Sequence, residues 1–251
     1  MCEEKRVTQM PYRRILAVGD IHGCYQKFLT LWERLAFDPS QDFVVFLGDY
    51  TDRGPESREV MEWVLSHVGQ QNMFFLRGNH DEMMLAALLG VEKGFWIQNG
   101  GDTTCESLRG REDLNAFLMQ WAKTVQQMPL YLEIEQDGQT YWFMHGGFVP
   151  GVPLAEQEEE TILWDRDFAE ADAYDGKEVV TVGHTIVRYI YHDRQIEPET
   201  EDALSQPMIL DGGRRILLDT GGFLAGGRIS AVDVLTKQVW QSDPMPELGG
   251  W

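Results

Sequence analysis

Cysteine is scarce in this chain. There are three in 251 residues, Cys2, Cys24 and Cys105, an odd number and widely spaced. That excludes a disulfide-built scaffold and fits a reducing compartment, so a cytoplasmic location is expected. Positive charge is scarce too: 21 Lys and Arg stand against 41 Asp and Glu, a formal net charge of −20. A polyanion needs neutralising cations, so no nucleic-acid partner is expected. An anionic membrane surface is disfavoured for the same reason. Apolar runs fall far short of the roughly 20 residues that span a bilayer, and Met1 to Val7 hold no hydrophobic stretch of the kind a secretory leader needs. The remaining composition, 43% hydrophobic and 25% charged, is ordinary for a globular protein of one large domain.

What the chain does have is a series of short apolar runs that end in glycine and a polar side chain. Arg14–Val18 precedes Gly19-Asp20-Ile21-His22-Gly23, and Phe43–Leu47 precedes Gly48-Asp49-Tyr50-Thr51-Asp52-Arg53-Gly54. Met73–Leu76 leads to Arg77-Gly78-Asn79-His80-Asp81, Tyr141–Met144 to His145-Gly146-Gly147, and Val179–Val182 to Gly183-His184-Thr185. Continuous apolar runs bounded by turn residues suit strands buried on both faces. In layered α/β folds, sites lie at the carboxyl ends of strands, so these polar groups could converge.

Helical spacing is expected over His22–Phe37, Glu56–Val68, Met83–Leu89 and Leu114–Val125. Asp137-Gly138 and Asp211-Gly212 read as hairpin turns, and Ile229–Leu235 with Gln238–Trp240 as a further strand pair. The picture is a β-sandwich with helices outside and βαβ units in the first half. Residues 13–241 form a single domain in this reading, with residues 1–12 and 242–251 loosely ordered at either end. The stretch 156–175, with nine acidic residues and one basic, Arg166, reads as a solvated surface loop or short helix.

The polar residues are those that two-metal hydrolysis requires. Two divalent ions about 3.5–4 Å apart need a shared anionic ligand and two or three further ligands each. Asp20 and His22, two apart and able to face the same way from an extended segment, would hold one ion. Asp49 is the natural bridge, because a carboxylate has two oxygens to share. Asn79, His145 and His184 would complete the second ion. Oxygen and nitrogen donors without sulfur suit Mn²⁺, Fe or Zn²⁺. His80 could protonate a leaving oxygen, with Asp52 orienting its other ring nitrogen. Arg53 and Arg77 flank two of the motifs, and guanidinium groups bind phosphate oxygens in a fork, which favours phosphoester over peptide hydrolysis.

In order and spacing, the five motifs resemble those of the phosphoprotein phosphatase family of metallophosphoesterases, especially its small bacterial and phage members, over roughly residues 13–232. The resemblance implies a calcineurin-like β-sandwich flanked by helices, with a dimetal site at the strand ends. It implies Asp20, His22, Asp49, Asn79, His145 and His184 as metal ligands, His80 with Asp52 as proton donor pair, and Arg53 and Arg77 as phosphate binders. Ile162-Leu163-Trp164-Asp165-Arg166 looks like the segment that supplies a third arginine, Arg166. The implied cofactor is a pair of divalent ions, Mn²⁺ first, and the implied partner a phosphoserine or phosphothreonine protein. Symmetrical dinucleoside-tetraphosphate hydrolases share the core motifs and are the alternative. A catalytically idle phosphoprotein-binding module is a second, against which the intact ligand set speaks.

Two other features carry less. Cys105-x5-Arg111 has the spacing of a cysteine-dependent phosphatase loop, but an adjacent Glu106 would disfavour the thiolate. Trp96, ahead of the Asn99-Gly100-Gly101 turn, reads as structural rather than catalytic.

Overall fold

The computed structural model describes residues 6–8 and 10–245. The strands are β1 (Arg6–Thr8), β2 (Arg14–Val18), β3 (Asp42–Phe46), β4 (Met73–Phe75), β5 (Tyr131–Gln136), β6 (Gln139–Met144), β7 (Val179–Val182), β8 (Met208–Leu210), β9 (Arg215–Leu217), β10 (Ser230–Asp233) and β11 (Val239–Gln241). The helices are α1 (Tyr25–Leu35), α2 (Ser57–His67), α3 (Asn79–Leu88), α4 (Lys93–Trp96), α5 (Asp102–Ser107), α6 (Leu114–Gln127), α7 (Glu159–Trp164), α8 (Asp167–Glu170) and α9 (Val187–Asp193).

Alternation along β2 shows how the layers are built. Ile15 and Ala17 point into a core shared with Leu132, Phe143 and Ile216 of the other sheet. Leu16 and Val18 point the opposite way, onto Phe28 and Leu31 of α1. On the far side, Val180, Val182 and Leu217 pack under Ile162, Phe168, Val187 and Ile190. The result is helix, sheet, sheet, helix: the expected sandwich. One sheet has the order β11-β10-β2-β3-β4 and the other β1-β5-β6-β7-β9-β8. Strands β2, β3 and β4 are mutually parallel, as are β6, β7 and β9, so the polar residues that follow each set emerge at one end of each sheet.

The Asp137-Gly138 hairpin forms as expected, both residues at positive φ (52° and 79°), the requirement of a tight two-residue turn. Around the turn expected at Asn99-Gly100-Gly101, the chain carries α4, a π-turn over Ile97–Gly101 with Gly100 at φ 106°, and α5. In the N-terminal segment, the described residues are joined to the second sheet. β1 pairs in parallel with β5, and buried Met10 donates its N–H to the Gln136 side-chain Oε1 at 2.8 Å, so both join this end to the sheet. Ser242 and Met245 are likewise bonded, to Ile229 and Gly227. The rest of the two segments expected to be loose, residues 1–5, 9 and 246–251, lies outside the described residues.

Candidate metal centre

The turns that follow the strands are sharp. His22, Asp49, Asp52, Arg53 and His184 all sit at positive φ (45°, 55°, 72°, 67° and 60°), a conformation that side chains with a Cβ rarely adopt. Backbone strain of this kind persists where surroundings over-determine it, and it gathers at functional sites. Here the surroundings are visible. Ile21 and His22 both donate N–H to the Asp49 carbonyl, at 3.1 and 2.9 Å. The geometry therefore corrects the expectation that Asp20 and His22 alternate on an extended segment. His22 is in a left-handed turn, because its N–H is drawn to the β3 loop.

Asp81 clamps the same loop. Its fully buried carboxylate accepts the N–H groups of Asp49 (2.8 Å), Tyr50 (3.2 Å) and Gly78 (2.9 Å), which fixes the β3 turn against the start of α3. Gly78 must be glycine: a Cβ there would lie 2.2 Å from Asp49 Oδ1. Asp81 lay inside a motif but was given no role from sequence, since a clamp on three backbone amides leaves no spacing signal.

The expected ligands converge. Asp49 Oδ2 is 3.4 Å from both His22 Nε2 and His145 Nε2, and Asp20 Oδ2 is 4.0 Å from His22 Nε2. Asn79 Oδ1 is 2.8 Å from His145 Nε2 and 3.1 Å from His184 Nδ1. Two groups have ligand atoms close enough to share an ion, Asp20–Asp49–His145 and His22–Asp49–His80, and Asp49 belongs to both. The other nitrogen of each candidate ligand imidazole faces a backbone carbonyl: Thr51 for His22, Leu47 for His145, Trp164 for His184. A carbonyl can only accept, so each ring is held in the tautomer whose lone pair faces the cluster. Burial keeps His22 and His184 uncharged, His184 down to about 2. Burial opposes charge at His145 as well, but Asp49 outweighs it and raises the imidazole to about 9, so a proton and a cation compete there. Burial raises the Asp20 carboxyl, with Asp219 adding to it. This buried set of O and N donors with preset lone pairs fits divalent ions.

Beside it, His80 Nδ1 meets Asp52 Oδ2 at 2.8 Å, leaving Nε2 for a proton. The rings of His80 and His22 lie edge to face at 4.7 Å. Asp52 is itself held by the Trp96 indole N–H, 3.0 Å from each oxygen, and by Thr104 Oγ1 at 2.7 Å. Trp96 is thus more than packing: it fixes the carboxylate that orients His80. Replacing it with phenylalanine removes a charge-assisted donor and keeps the bulk. The expected result is a kcat lowered roughly tenfold, with KM nearly unchanged, in steady-state kinetics. An unchanged kcat would reduce Trp96 to a core residue.

The arginines divide. Arg53 donates to His22 Nε2 at 2.9 Å and stacks over Phe223 at 4.7 Å. With Arg166, His184, Glu170 and Asp193 it lines a cavity of about 290 Å³. Arg166 is exposed and bonds the His184 carbonyl at 3.2 Å. Arg77 is buried and paired with Glu82 (2.7 Å) and with Glu159 of α7 (3.1 Å), so part of the acidic stretch reaches it. The cysteine reading finds no support: partial burial, with Asp52 and Asp102 nearby, holds the Cys105 thiol above its ordinary value.

Residues 13–224 match the calcineurin-like phosphoesterase family, and the chain belongs to it. It is a metallophosphoesterase, a hydrolase of a family that works with a dinuclear metal site. Over 194 residues it is 31% identical to serine/threonine-protein phosphatase 2 of Salmonella typhimurium, covering 71% of this chain and 82% of that one. It is 35% identical over 151 residues to a symmetrical bis(5'-nucleosyl)-tetraphosphatase of Chromobacterium violaceum, covering 58% of this chain and 49% of that one. Among solved structures, a protein serine/threonine phosphatase from Saccharomyces cerevisiae gives a TM-score of 0.63 over 98% of this chain and 85% of that one. At 15% identity this is a likeness of fold. Among the described residues, no helix is long and apolar enough to cross a membrane.

Proposed function

We propose that this metallophosphoesterase removes phosphate from phosphoserine and phosphothreonine side chains of proteins. The catalytic unit in this reading is the single domain 13–241, working in the cytoplasm. The observation that carries the substrate class is the cavity beside the cluster. At about 290 Å³, with Arg53 and Arg166 next to Glu170 and Asp193, it suits one phosphoryl group on a side chain. A dinucleoside polyphosphate would bring several negative charges against those carboxylates.

Asp20, His22, Asp49, Asn79, His145 and His184 would hold two divalent ions, which when bound would supply positive charge against the phosphoryl oxygens and lower the pKa of the attacking water. Mn²⁺ is the ion of this reading, and the same donors accept Fe or Zn²⁺. Arg53 and Arg166 bind the phosphoryl oxygens from the cavity side. Arg77 joins them when phosphate shares its guanidinium with Glu82 and Glu159. His80 gives its Nε2 proton to the departing serine or threonine oxygen, while Asp52 stabilises the imidazolium and holds the tautomer. No side chain is phosphorylated on the way.

The second reading, symmetrical cleavage of dinucleoside tetraphosphates, uses the same residues and draws on the nucleosyl-tetraphosphatase relative. Turnover of a phosphoserine or phosphothreonine peptide and of diadenosine tetraphosphate, measured side by side with Mn²⁺ and with EDTA, separates them. Mn²⁺-dependent phosphate release from the peptide, with little nucleotide cleavage, is the expected result. Preferential conversion of the nucleotide to ADP would overturn the substrate and leave the site in place.

A further inference from the structure

Gly19 and Leu218 are in backbone contact: a Cβ on Gly19 would lie 2.4 Å from the Leu218 carbonyl oxygen. The next residue on each side is an aspartate, Asp20 on one and Asp219 on the other. Asp219 is 1% exposed. Its Oδ1 accepts the Gly221 N–H at 2.9 Å, but its Oδ2 is buried with no hydrogen-bond partner. A buried carboxylate oxygen without a donor is costly and rare, so one that persists has something to face. Its surroundings say what. Asp219 acts on Asp20 more strongly than any other charge does, and Arg53, Asp49 and His145 are its own charged neighbours. Two buried carboxylates side by side repel unless a cation lies between or beside them. Asp219 is absent from the groups whose ligand atoms converge within 4.8 Å, so it is not among the candidate direct ligands.

We propose that Asp219 is an outer carboxylate of the metal centre, accepting a hydrogen bond at Oδ2 from a water in the shell of the ion on the Asp20 side and raising that ion's affinity. The proposal rests on the dimetal reading of the site. The remaining contacts of Asp219 are structural: the Gly221 N–H at Oδ1, and the Val187 N–H donated to its carbonyl at 2.9 Å. Asparagine keeps both, since its side-chain oxygen can still accept from Gly221, and puts a neutral NH₂ donor in place of the charged Oδ2 acceptor.

The test is calorimetric titration of Mn²⁺ into the metal-stripped full chain, wild type and Asp219→Asn, with melting curves of each in EDTA and in Mn²⁺. Wild type is expected to bind two ions. In Asp219→Asn one of the two binding events weakens about 10- to 100-fold, and the rise in melting temperature on adding Mn²⁺ shrinks while the EDTA melt stays put. The increment is compared within each variant, so a change in baseline stability does not obscure it. Equal affinities and equal increments in the two proteins overturn the proposal and leave Asp219 as a turn residue. Unchanged Mn²⁺ binding with altered inhibition by inorganic phosphate also overturns it, assigning Asp219 to Arg53 instead. Should Asp219→Asn not fold, Asp219→Ser, which keeps a short acceptor for Gly221, is titrated in its place. If wild type itself binds no pair of ions, the dimetal reading fails, and that outcome is distinct from the others.

Discussion

Replacing His80 with asparagine is expected to lower turnover of a phosphoserine peptide by about 10²–10⁴-fold, the usual contribution of a positioned general acid. Metal content should stay at two ions. The argument starts from the hydrogen bonds. Asp52 takes one ring nitrogen of His80, and Trp96 and Thr104 hold Asp52, so the ring is fixed and its second nitrogen is left for the proton transfer proposed above. The His80 backbone N–H donates to Asp49 Oδ1 at 2.9 Å, and asparagine retains that bond, so Asp49 keeps its place. A general acid matters most for a poor leaving group. An aryl phosphate, whose phenolate leaves without help, should lose much less activity than the peptide. His80 also stands in a possible ligand group with His22 and Asp49. Metal analysis therefore belongs beside the kinetics: loss of an ion from His80→Asn would make this residue a ligand, and equal loss on both substrates would remove it from proton transfer.

The parts of this site that were legible in sequence share one property: they are local. A strand followed by Gly and a ligand is a pattern within about six residues, because the strand must be apolar and the turn must admit positive φ. That was enough to bring Asp20, His22, Asp49, Asn79, His145 and His184 forward as candidate ligands, and to show the sandwich. What escaped depends on pairs brought together from far apart. Trp96 holds Asp52 across 44 residues, and Thr104 across 52. Neither an indole nor a hydroxyl announces its partner. Asp219 also follows an apolar run, Ile216–Leu218, but that pattern alone gives it no role. Its significance lies in an unmatched oxygen, which only coordinates reveal. Arg77 was legible as a residue beside a motif, yet its pairing with Glu159 of the acidic stretch was not, since charge composition does not say which carboxylate meets which guanidinium. The helix start at Asn79 was placed late for a related reason: Gly78-Asn79-His80 read as a turn, whereas Asp81 accepts the Gly78 N–H and draws those residues into α3.

Asp49→Asn should remove metal binding altogether, and activity with it. Asp49 is the one residue common to both possible ion groups, with Oδ2 equidistant from His22 and His145. Burial works against its charge, yet the imidazoles of His145, His80 and His22 hold its carboxyl well below the usual carboxylate range. It is therefore anionic at neutral pH, as a bridging ligand must be. Asparagine presents one neutral acceptor and one NH₂ donor, and a donor facing a cation repels it. Linkage supplies the measurement. Each ion at about 100 times its dissociation constant stabilises the native state by about 2.7 kcal/mol. For a chain of this size, one kcal/mol moves the melting temperature by about 2–4 °C. Wild type should therefore melt roughly 10–20 °C higher with both ions bound than in EDTA, on those same figures. Asp49→Asn should show almost none of that increment, and phosphatase activity at background. In EDTA the variant should still unfold cooperatively, because Asp81 continues to clamp the Asp49 and Tyr50 amides and the substitution leaves the apolar packing between the sheets intact. A variant that keeps the full Mn²⁺ increment would show that Asp49 does not bridge, and the two ions would need another shared ligand.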